Sequence, residues 1–388
     1  MPIHIIGTGV CALGAANSMM KTTRRHWRNW VTGIVTAAVL CAGVIAEAAT
    51  QSKTTSAKKP AARSTKSATP ARDNTGTKKA AAPKYSRSRA SKRRAALARA
   101  RAAQRAREAR EVAVPRFKLG EDGSIVPDVR AEAAIIYNPS TQEVLWAENG
   151  DETRSIASIT KVMTAVVFLE NEFDLSRVVE VNPADARRPS TTYLRSRERV
   201  RLEDLLHLTL VASDNVAART LARHSPFGYE GFIARMNAKA VELGLDHTHY
   251  ADPSGLLSDN VSSAHDMAKL IAYASGDPRI SEVMRKQDYT LRTSRRTVTV
   301  HNTNKLVGSE VDVQGGKTGF ITRSGYCLAT LLKLPQSDQQ VAVVVLGAKS
   351  NAGRFMETKH LFNWIAGKMP FFGSSPSQIQ DQQIQQIP

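Results

Sequence analysis

The chain has few cysteines and no apolar run near its start that is long enough to span a membrane. Three cysteines among 388 residues exclude a small scaffold held together by disulfides. The apolar run at residues 31–46 is shorter than the ~20 residues of a membrane-spanning helix. We therefore expect the chain to fold around a hydrophobic core of its own, in a predicted domain at residues 116–370.

The short apolar run is part of a predicted secretory signal peptide. A basic segment at residues 21–28 precedes it and a small-x-small triplet at residues 46–48 follows it, which is the arrangement of a cleavable leader. We expect residues 1–48 to be removed on export to the periplasm, and translation to start at Met19 or Met20. An uncleaved membrane anchor is the alternative.

Cleavage after Ala48 would leave a single cysteine in the mature protein. Cys11 and Cys41 would be removed, and Cys327 alone cannot form an internal disulfide. Because Cys327 lies in a strand-like apolar run, we predict a buried, unreactive thiol.

Acidic residues are scarce in one segment, and that segment holds nearly all of the net charge of +19. Residues 51–115 contain 8 Lys and 11 Arg against three acidic residues, whereas the region from Arg116 onward is electrically balanced. Residues 49–115 also contain almost no large apolar side chains. We therefore predict a disordered basic linker, in which residues 91–111 are transiently helical.

Polyanions are the partners that such a linker attracts. Because no nucleic acid is available after export, we expect weak contact with an anionic wall polymer or membrane surface. A merely solvated linker is the first alternative. The second is a wall-binding or nucleic-acid-binding protein whose folded domain is catalytically inert.

The region after the linker has strand patterns at both ends and helical patterns between them. Strand-like runs occur at residues 133–137, 143–147, 297–301, 311–314, 326–334 and 340–346, and helical patterns at residues 158–168, 202–223, 231–243 and 354–365. This order predicts an α+β domain in which both ends of the domain build one antiparallel sheet and the middle forms a helical lobe. Residues 371–388 are predicted to be a polar tail.

Three short motifs, S-x-x-K, S-D-N and K-T-G, follow one another along the chain. The first places Ser158 and Lys161 three residues apart at the start of a predicted helix, so that both side chains share one face. A lysine accepts a proton only if burial or a nearby cation lowers its pKa from ~10.4, and we expect burial and Lys317 to do so. Asn215 is expected to hold the Lys161 amine and the substrate amide, and Ser213 to relay a proton to the leaving amine.

The K-T-G motif is predicted to end an edge strand beside the cleft. There Lys317 and Thr318 would grip a carboxylate or carbonyl group, and Gly319 would let the substrate backbone approach closely. An extended peptide could add to that edge as a further strand. The backbone N–H groups of Ser158 and Phe320 are the expected oxyanion donors.

The triple motif resembles that of the penicillin-recognising serine enzymes. The segments at residues 156–165, 236–240, 251–256 and 315–322 are similar to those of the low-molecular-mass penicillin-binding proteins, the D-alanyl-D-alanine carboxypeptidases and endopeptidases. The resemblance implies a β-lactamase/transpeptidase-like fold, peptidoglycan peptide stems as substrates, β-lactams as covalent inhibitors, and neither cofactor nor metal. It also implies that Ser158 is the acyl-ester nucleophile, Lys161 its general base, Ser213 the relay and Lys317 the substrate anchor.

Within this family the architecture resembles the endopeptidase branch. Chains of the carboxypeptidase branch often continue into a β-rich domain and an amphipathic C-terminal anchor, whereas this sequence stops at residue 388. We therefore expect a D,D-endopeptidase that cuts cross-links between peptidoglycan stems. Trimming of terminal D-Ala is the alternative.

Two other enzyme classes are alternatives to a D-alanyl-D-alanine peptidase. A class A β-lactamase needs a glutamate to activate the deacylating water, and Glu242 is the candidate, although it follows the S-D-N motif at a short offset. A metal enzyme could use His247, His249 and Asp252, although their spacing lacks a zinc-site pattern.

Overall fold

A computed structural model describes residues 84–172, 174–187, 192–335 and 337–372. The predicted signal peptide at residues 1–48, the first part of the predicted linker and nearly all of the predicted tail lie outside the described residues. The last described helix ends at Phe372, two residues beyond the predicted end of the domain.

Eight α-helices and thirteen strands occur in the described part of the chain. The helices are α1 (Lys84–Ala113), α2 (Thr160–Leu169), α3 (Leu202–Leu210), α4 (Asn215–His224), α5 (Gly228–Glu242), α6 (Ala264–Ser275), α7 (Pro278–Met284) and α8 (Asn351–Phe372). The strands are β1 (Phe117–Leu119), β2 (Ile125–Pro127), β3 (Ala133–Asn138), β4 (Glu143–Glu148), β5 (Arg154–Ser155), β6 (Val178–Glu180), β7 (Arg199–Arg201), β8 (Val261–Ser262), β9 (Asp288–Arg292), β10 (Thr297–His301), β11 (Asp312–Ile321), β12 (Gly325–Lys333) and β13 (Gln340–Ala348). None of these described helices combines the length and the apolar character needed to cross a membrane.

The central sheet has five antiparallel strands in the order β11-β12-β13-β3-β4. The hairpin β3–β4, from the start of the domain, pairs through β13 with β12 and β11 from its end. The predicted α+β class, with one sheet built from both ends of the domain, is therefore confirmed. β11, which carries the K-T-G motif, is an edge strand of this sheet, as predicted.

Side chains on the two faces of the sheet enter two hydrophobic cores. Along β3, Ile135 and Tyr137 belong to a larger core shared with the helical lobe, whereas Ala134 and Ile136 belong to a smaller core shared with α8. Burial of both faces explains why the inner strands are continuous apolar runs without alternation. Cys327 of β12 lies in the larger core without a disulfide, as predicted, and burial raises the pKa of its thiol.

The helical lobe departs from the prediction at the S-D-N motif. The sequence predicts one helix over residues 202–223, whereas the chain forms α3 and α4, and α4 begins only at Asn215. Ser213 has a φ of 58°, which the interior of an α-helix does not allow. Asp214 then caps α4, because its side chain accepts hydrogen bonds from two backbone N–H groups of the first turn. The motif itself therefore breaks the helix.

Residues 84–113 of the predicted linker form the helix α1, which includes residues 91–111, where the sequence predicts transient helical structure. Alanine and arginine are strong helix formers, and the C-terminal end of α1 is attached to the domain. Val112 is buried, and the Ala113 carbonyl accepts a hydrogen bond from His360 Nε2 at 3.1 Å. Residues 91–107 of the helix are exposed.

Candidate active site

The chain enters the site through a strained turn immediately before the first motif. Ala157 has a φ of 47°, a left-handed conformation that costs ~1 kcal/mol or more for a residue with a side chain. A short 3-10 turn, Ala157–Ile159, leads into α2 at Thr160. Ser158 therefore lies at the N-terminal end of a helix, where the backbone dipoles stabilise negative charge.

Lys161 is completely buried and lies against Ser158. Its Nζ atom is 2.9 Å from Ser158 Oγ, 2.7 Å from Asn215 Oδ1 and 2.5 Å from the Ser254 carbonyl oxygen. A neutral amine has two N–H donors and one lone pair, and the Asn215 and Ser254 oxygens accept from the two donors. The lone pair is then left for the Ser158 hydroxyl, which is the arrangement of a nucleophile and its base.

Burial decides the protonation of this amine. Removal of the amine from water is the main cause that lowers the pKa of Lys161. The carboxylates of Asp252 and Asp214 raise this pKa, and Arg219 lowers it further. The resulting pKa is about 7. The expected effect of burial is therefore present. Arg219 is a further cation that lowers this pKa, and the repulsion between the two amines also acts on Lys317.

The S-D-N motif reaches the same place from the break between α3 and α4. Asn215 is the first residue of α4 and is buried, so its amide oxygen is held firmly beside the lysine of the first motif. Ser213 Oγ accepts a hydrogen bond from Lys317 Nζ at 2.8 Å. Asp214, whose pKa is raised by burial, also accepts from the backbone N–H of Tyr193 at 2.6 Å and so ties a neighbouring loop to the motif.

The K-T-G motif on β11 passes close to Ser158. Lys317 is buried, and its Nζ also donates to the Thr318 carbonyl at 2.9 Å. Thr318 Oγ1 donates to Thr303 Oγ1 at 2.7 Å. A Cβ on Gly319 would lie 3.3 Å from the backbone nitrogen of Ser158 and 2.6 Å from the carbonyl oxygen two residues before it. Glycine is therefore required at this crossing.

The second buried amine also has a lowered pKa. The pKa of Lys317 lies well below its ordinary value, first because of burial and then because of Lys161 and Arg354. A carboxylate placed beside its Nζ would favour the charged form. Lys317 is therefore suited to hold an anionic group of a ligand.

Arg354 on α8 supports β11, although no short motif in the sequence marks it. Its Nη1 donates to the carbonyl oxygens of Gly319 at 2.9 Å and Cys327 at 3.2 Å. The Gly319 carbonyl and the Phe320 N–H belong to one trans peptide group, in which the two point in opposite directions. Because Arg354 holds the carbonyl towards α8, the Phe320 N–H points away from α8. The Phe320 side chain is 49% exposed and stacks on Tyr326 with ring centres 4.2 Å apart.

The segment at residues 251–256 also belongs to the site, although none of its residues was among the predicted site residues. Ser254 supplies the carbonyl oxygen that accepts from the buried amine. The Asp252 carboxylate shapes the loop by accepting from the backbone N–H groups of Ser254 and Gly255 at 3.0 and 3.1 Å. A Cβ on Gly255 would lie 2.0 Å from the Ala157 carbonyl oxygen. The D-P-S-G-L pattern was the signal that could have placed this loop beside Ser158.

Glu242, the candidate base of a β-lactamase, is not part of this arrangement. It is exposed at the end of α5 and forms ion pairs with Arg235 and, at 2.6 Å, with Lys239. Arg235 first, and then Lys239, lower its pKa to about 2. Glu242 therefore belongs to a surface ion-pair cluster.

The candidate metal ligands do not form a cluster. The backbone of His249 forms a bridge with Val261, and the Asp252 carboxylate is engaged by backbone N–H groups of its own loop. In the ranges that the structure describes, no group of three or more His, Cys, Asp or Glu side chains is placed to hold a metal ion.

Known proteins are similar to this chain in sequence and in fold. A family model described as D-alanyl-D-alanine carboxypeptidase matches residues 121–350. A D-alanyl-D-alanine endopeptidase of Escherichia coli is 34% identical over 244 residues, which cover 62% of this chain and 78% of that protein.

Two solved structures show the same fold. The Streptomyces K15 DD-transpeptidase is 28% identical, with a TM-score of 0.58 over 61% of this chain and 97% of that one. Penicillin-binding protein D2 from Listeria monocytogenes, in its cefotaxime-bound form, is 30% identical, with a TM-score of 0.55 over 61% of this chain and 97% of that one. The predicted β-lactamase/transpeptidase-like fold is therefore confirmed. The chain belongs to the D-alanyl-D-alanine carboxypeptidase family of penicillin-binding serine peptidases.

Proposed function

We propose that this chain is a D-alanyl-D-alanine endopeptidase that cleaves peptidoglycan cross-links through an acyl-enzyme at Ser158. The observation that carries the proposal is the 2.9 Å separation between Ser158 Oγ and the buried Lys161 amine, whose pKa is lowered to about 7. A lysine with an ordinary pKa of ~10.4 would be neutral in fewer than ~1 in 10³ molecules at neutral pH. Burial thus supplies the base that the reaction needs.

Acylation uses the groups that converge on Ser158. Its Oγ attacks the carbonyl carbon of the D-alanyl residue while its proton moves to Lys161 Nζ. Negative charge then develops on the carbonyl oxygen, where the backbone N–H groups of Ser158 and Phe320 stabilise it. Arg354 assists by holding the Gly319 carbonyl, so that the following N–H faces away from α8.

Release of the amine and hydrolysis complete the cycle. Ser213, which is 2.8 Å from Lys317 Nζ, passes its hydroxyl proton to the leaving nitrogen as the peptide C–N bond breaks, and it takes up the proton that Lys161 accepted from Ser158, so that the Lys161 amine is neutral again. Lys317 and Thr318 hold the carboxylate on the leaving side, and Asn215 holds the substrate amide. A water molecule then takes the place of the amine and attacks the ester carbonyl while Lys161 accepts its proton. Lys161 returns this proton to Ser158 Oγ as the ester C–O bond breaks.

The choice of cross-links over terminal D-Ala is supported by the relative named D-alanyl-D-alanine endopeptidase, with 34% identity. Both reactions break a peptide bond after a D-alanyl carbonyl, so the residues around Ser158 would serve either. Carboxypeptidase activity is therefore the second candidate, and the description of the matching family favours it.

The substrate and the predicted leader at residues 1–48 together support a periplasmic location. The basic linker is then proposed to contact an anionic wall polymer or membrane surface through charge, which makes the contact sensitive to salt. Retention of the protein on isolated peptidoglycan should fall as salt rises, and less steeply when residues 49–107 are removed. Equal, salt-independent retention of both forms would contradict this contact.

The proposed reaction is tested with purified muropeptides and mass spectrometry. Wild type should convert cross-linked dimers to monomers and form a covalent adduct with labelled benzylpenicillin at Ser158. Ser158→Ala should do neither, whereas Ser337→Ala, at an exposed serine, should behave as wild type. Intact dimers with D-Ala lost from monomers would make the chain a carboxypeptidase, and absence of the adduct would refute the mechanism.

A further inference from the structure

Exposed arginines are concentrated on two segments of the chain that contact each other. One segment, residues 194–198, precedes β7, and the other, residues 292–296, runs from the end of β9 to the turn before β10. The Ser294 N–H donates a hydrogen bond to the Arg199 carbonyl at 2.9 Å, so the two segments lie side by side. Their exposed arginines form what we call the arginine surface: Arg195, Arg197, Arg292, Arg295 and Arg296.

The positive charge of the arginine surface is largely unpaired. Four of its five guanidinium groups form no hydrogen bond or ion pair with the described part of the chain. The fifth, that of Arg296, lies 3.9 Å from the Glu198 carboxylate. Because the chain from Arg116 onward is electrically balanced, this surface is a local excess of positive charge, and such an excess attracts anions.

A buried carboxylate holds the two segments in place. Glu198 is fully buried, and it accepts hydrogen bonds from the Arg195 N–H at 2.7 Å and from the Thr293 hydroxyl at 2.5 Å. Between them, Arg197 has a φ of 61°, a left-handed conformation that is strained for a residue with a side chain. The chain therefore presents an arginine where glycine would be relaxed, and strain of this kind is concentrated at functional sites.

The arginine surface adjoins the catalytic motifs by two routes. In the first, Arg296 Nη2 donates to the Tyr193 carbonyl at 2.6 Å, and the Tyr193 N–H donates to Asp214 of the S-D-N motif at 2.6 Å. In the second, β10 leads from Arg296 to Thr303, whose hydroxyl accepts from Thr318 of the K-T-G motif at 2.7 Å. Both routes end at the part of the site that the proposed function assigns to the leaving group.

The leaving group of a cross-link is long enough to reach this surface, and here the inference rests on the proposed function. When a cross-link is cut, a whole peptide stem leaves, and an extended stem of three to four residues spans roughly 10–14 Å. A single residue, Tyr193, separates the S-D-N motif from Arg296. The anionic groups of a peptide stem are carboxylates, which guanidinium groups bind through paired N–H donors.

We propose that the arginine surface binds carboxylates of the leaving stem of a cross-link. It acts on substrate binding and leaves bond breaking to the residues around Ser158, so it lowers KM more than it raises kcat. A single D-alanine, which is the leaving group when terminal D-Ala is trimmed, is too short to reach the surface. The arginine surface therefore favours cross-links over terminal D-Ala.

Two synthetic cross-linked peptides that share one donor stem test this surface. In one peptide the leaving stem keeps its carboxylates beyond the residue that forms the cross-link, and in the other these carboxylates are amidated. Wild type should show a kcat/KM about tenfold higher for the free carboxylates, and the double variant Arg197→Gly, Arg295→Gln should lower this ratio to about two, because each exposed ion pair contributes up to a few-fold. Since glycine adopts the φ of residue 197 without strain, this variant should melt no lower than wild type.

The matched control is the double variant Arg285→Gln, Lys349→Gln, which removes two exposed positive charges elsewhere and should keep the wild-type ratio. The wild-type ratio should also fall as salt screens the exposed charges. Equal rates of wild type on the two peptides, or the same ratio in both double variants, would overturn the role of the surface. Labelled benzylpenicillin has no leaving stem and keeps the two proposals apart. An adduct at Ser158 without a preference between the peptides refutes the surface alone, whereas absence of an adduct refutes the proposed function.

Discussion

Two fully buried lysines give the site its chemical character at the scale of single residues. The hydrogen-bond acceptors beside Lys161 and Lys317 are hydroxyl, amide and carbonyl oxygens, and none is a carboxylate. A buried cation without a bonded anion is unfavourable, so the surroundings favour the neutral amine. Such a group is costly for stability and useful for proton transfer.

The pH dependence of acylation tests the state of Lys161. We expect the rate of adduct formation with benzylpenicillin to rise with pH through an apparent pKa of about 7, because only the neutral amine accepts a proton. Arg219→Gln removes a cation that favours the neutral amine, so its profile should move to higher pH. Arg285→Gln is the control. An unmoved profile in Arg219→Gln would show that Arg219 does not influence Lys161.

The close passage of β11 makes Gly319 a sensitive position. Gly319→Ala puts a Cβ 2.6 Å from a backbone carbonyl oxygen, so β11 or the turn before Ser158 must move. A displacement of ~1 Å can cost about 10²-fold in rate, and we expect a loss of this size in acylation by benzylpenicillin. Gly367→Ala, which has open space around its Cβ, should keep the rate and raise stability by up to ~1 kcal/mol. Equal rates in the two variants would contradict the tight crossing.

At the scale of elements, the site depends on one break between helices and on one side chain that hydrogen-bonds a helix to two strands. The break between α3 and α4 lets Ser213 adopt a positive φ and Asn215 begin a new helix. The contact is made by Arg354 of α8, which donates hydrogen bonds to carbonyl oxygens of both β11 and β12 beside the K-T-G motif. Both features fix backbone direction where the substrate would bind.

Loss of the hydrogen bonds from Arg354 should impair catalysis more than folding. Arg354→Met keeps an apolar stem but releases the Gly319 carbonyl, so the Phe320 N–H is no longer held in one direction. Loss of one oxyanion donor typically costs 10²–10³-fold, and we expect about a 10²-fold slower acylation by benzylpenicillin. Arg354→Lys should recover part of this rate. An unchanged rate in Arg354→Met, with the variant folded by circular dichroism, would contradict the positioning role.

At the scale of the whole molecule, the two ends of the domain meet in one sheet, and α1 is attached at its C-terminal end. The hairpin β3–β4 pairs with β13, so the first and last parts of the domain stabilise each other. Val112 is buried, whereas residues 91–107 are exposed. The boundary of the stable unit therefore lies near residue 108.

Two truncations locate this boundary. A chain that begins at residue 108 keeps Val112 and the bond between Ala113 and His360, whereas a chain that begins at residue 114 loses both. Burial of one valine contributes ~1.5 kcal/mol, and in a domain of this size each kcal/mol changes Tm by about 2–4 °C. The shorter chain should therefore melt about 3–6 °C lower in calorimetry. Equal melting temperatures would place the boundary after residue 113.

The sequence by itself determined the local features. Apolar patterning identified the strands at both ends of the domain, and motif spacing placed Ser158 and Lys161 on one helical turn. Both features depend on residues that are close together in the chain. It also predicted the edge position of Lys317. It did not predict the break at Ser213, because the leucine-rich and alanine-rich segments on either side of the S-D-N motif were taken as one helical pattern.

The tertiary structure alone decided which groups outside the three motifs contact them. Ser254 lies 93 residues from the lysine it contacts, and Arg354, which no short motif marks, lies 35 residues from Gly319. The pKa of Lys161 depends on the same assembly, since a lysine is neutral near pH 7 only where the fold excludes water from it. Short-range order is encoded along the chain, whereas desolvation is created by packing.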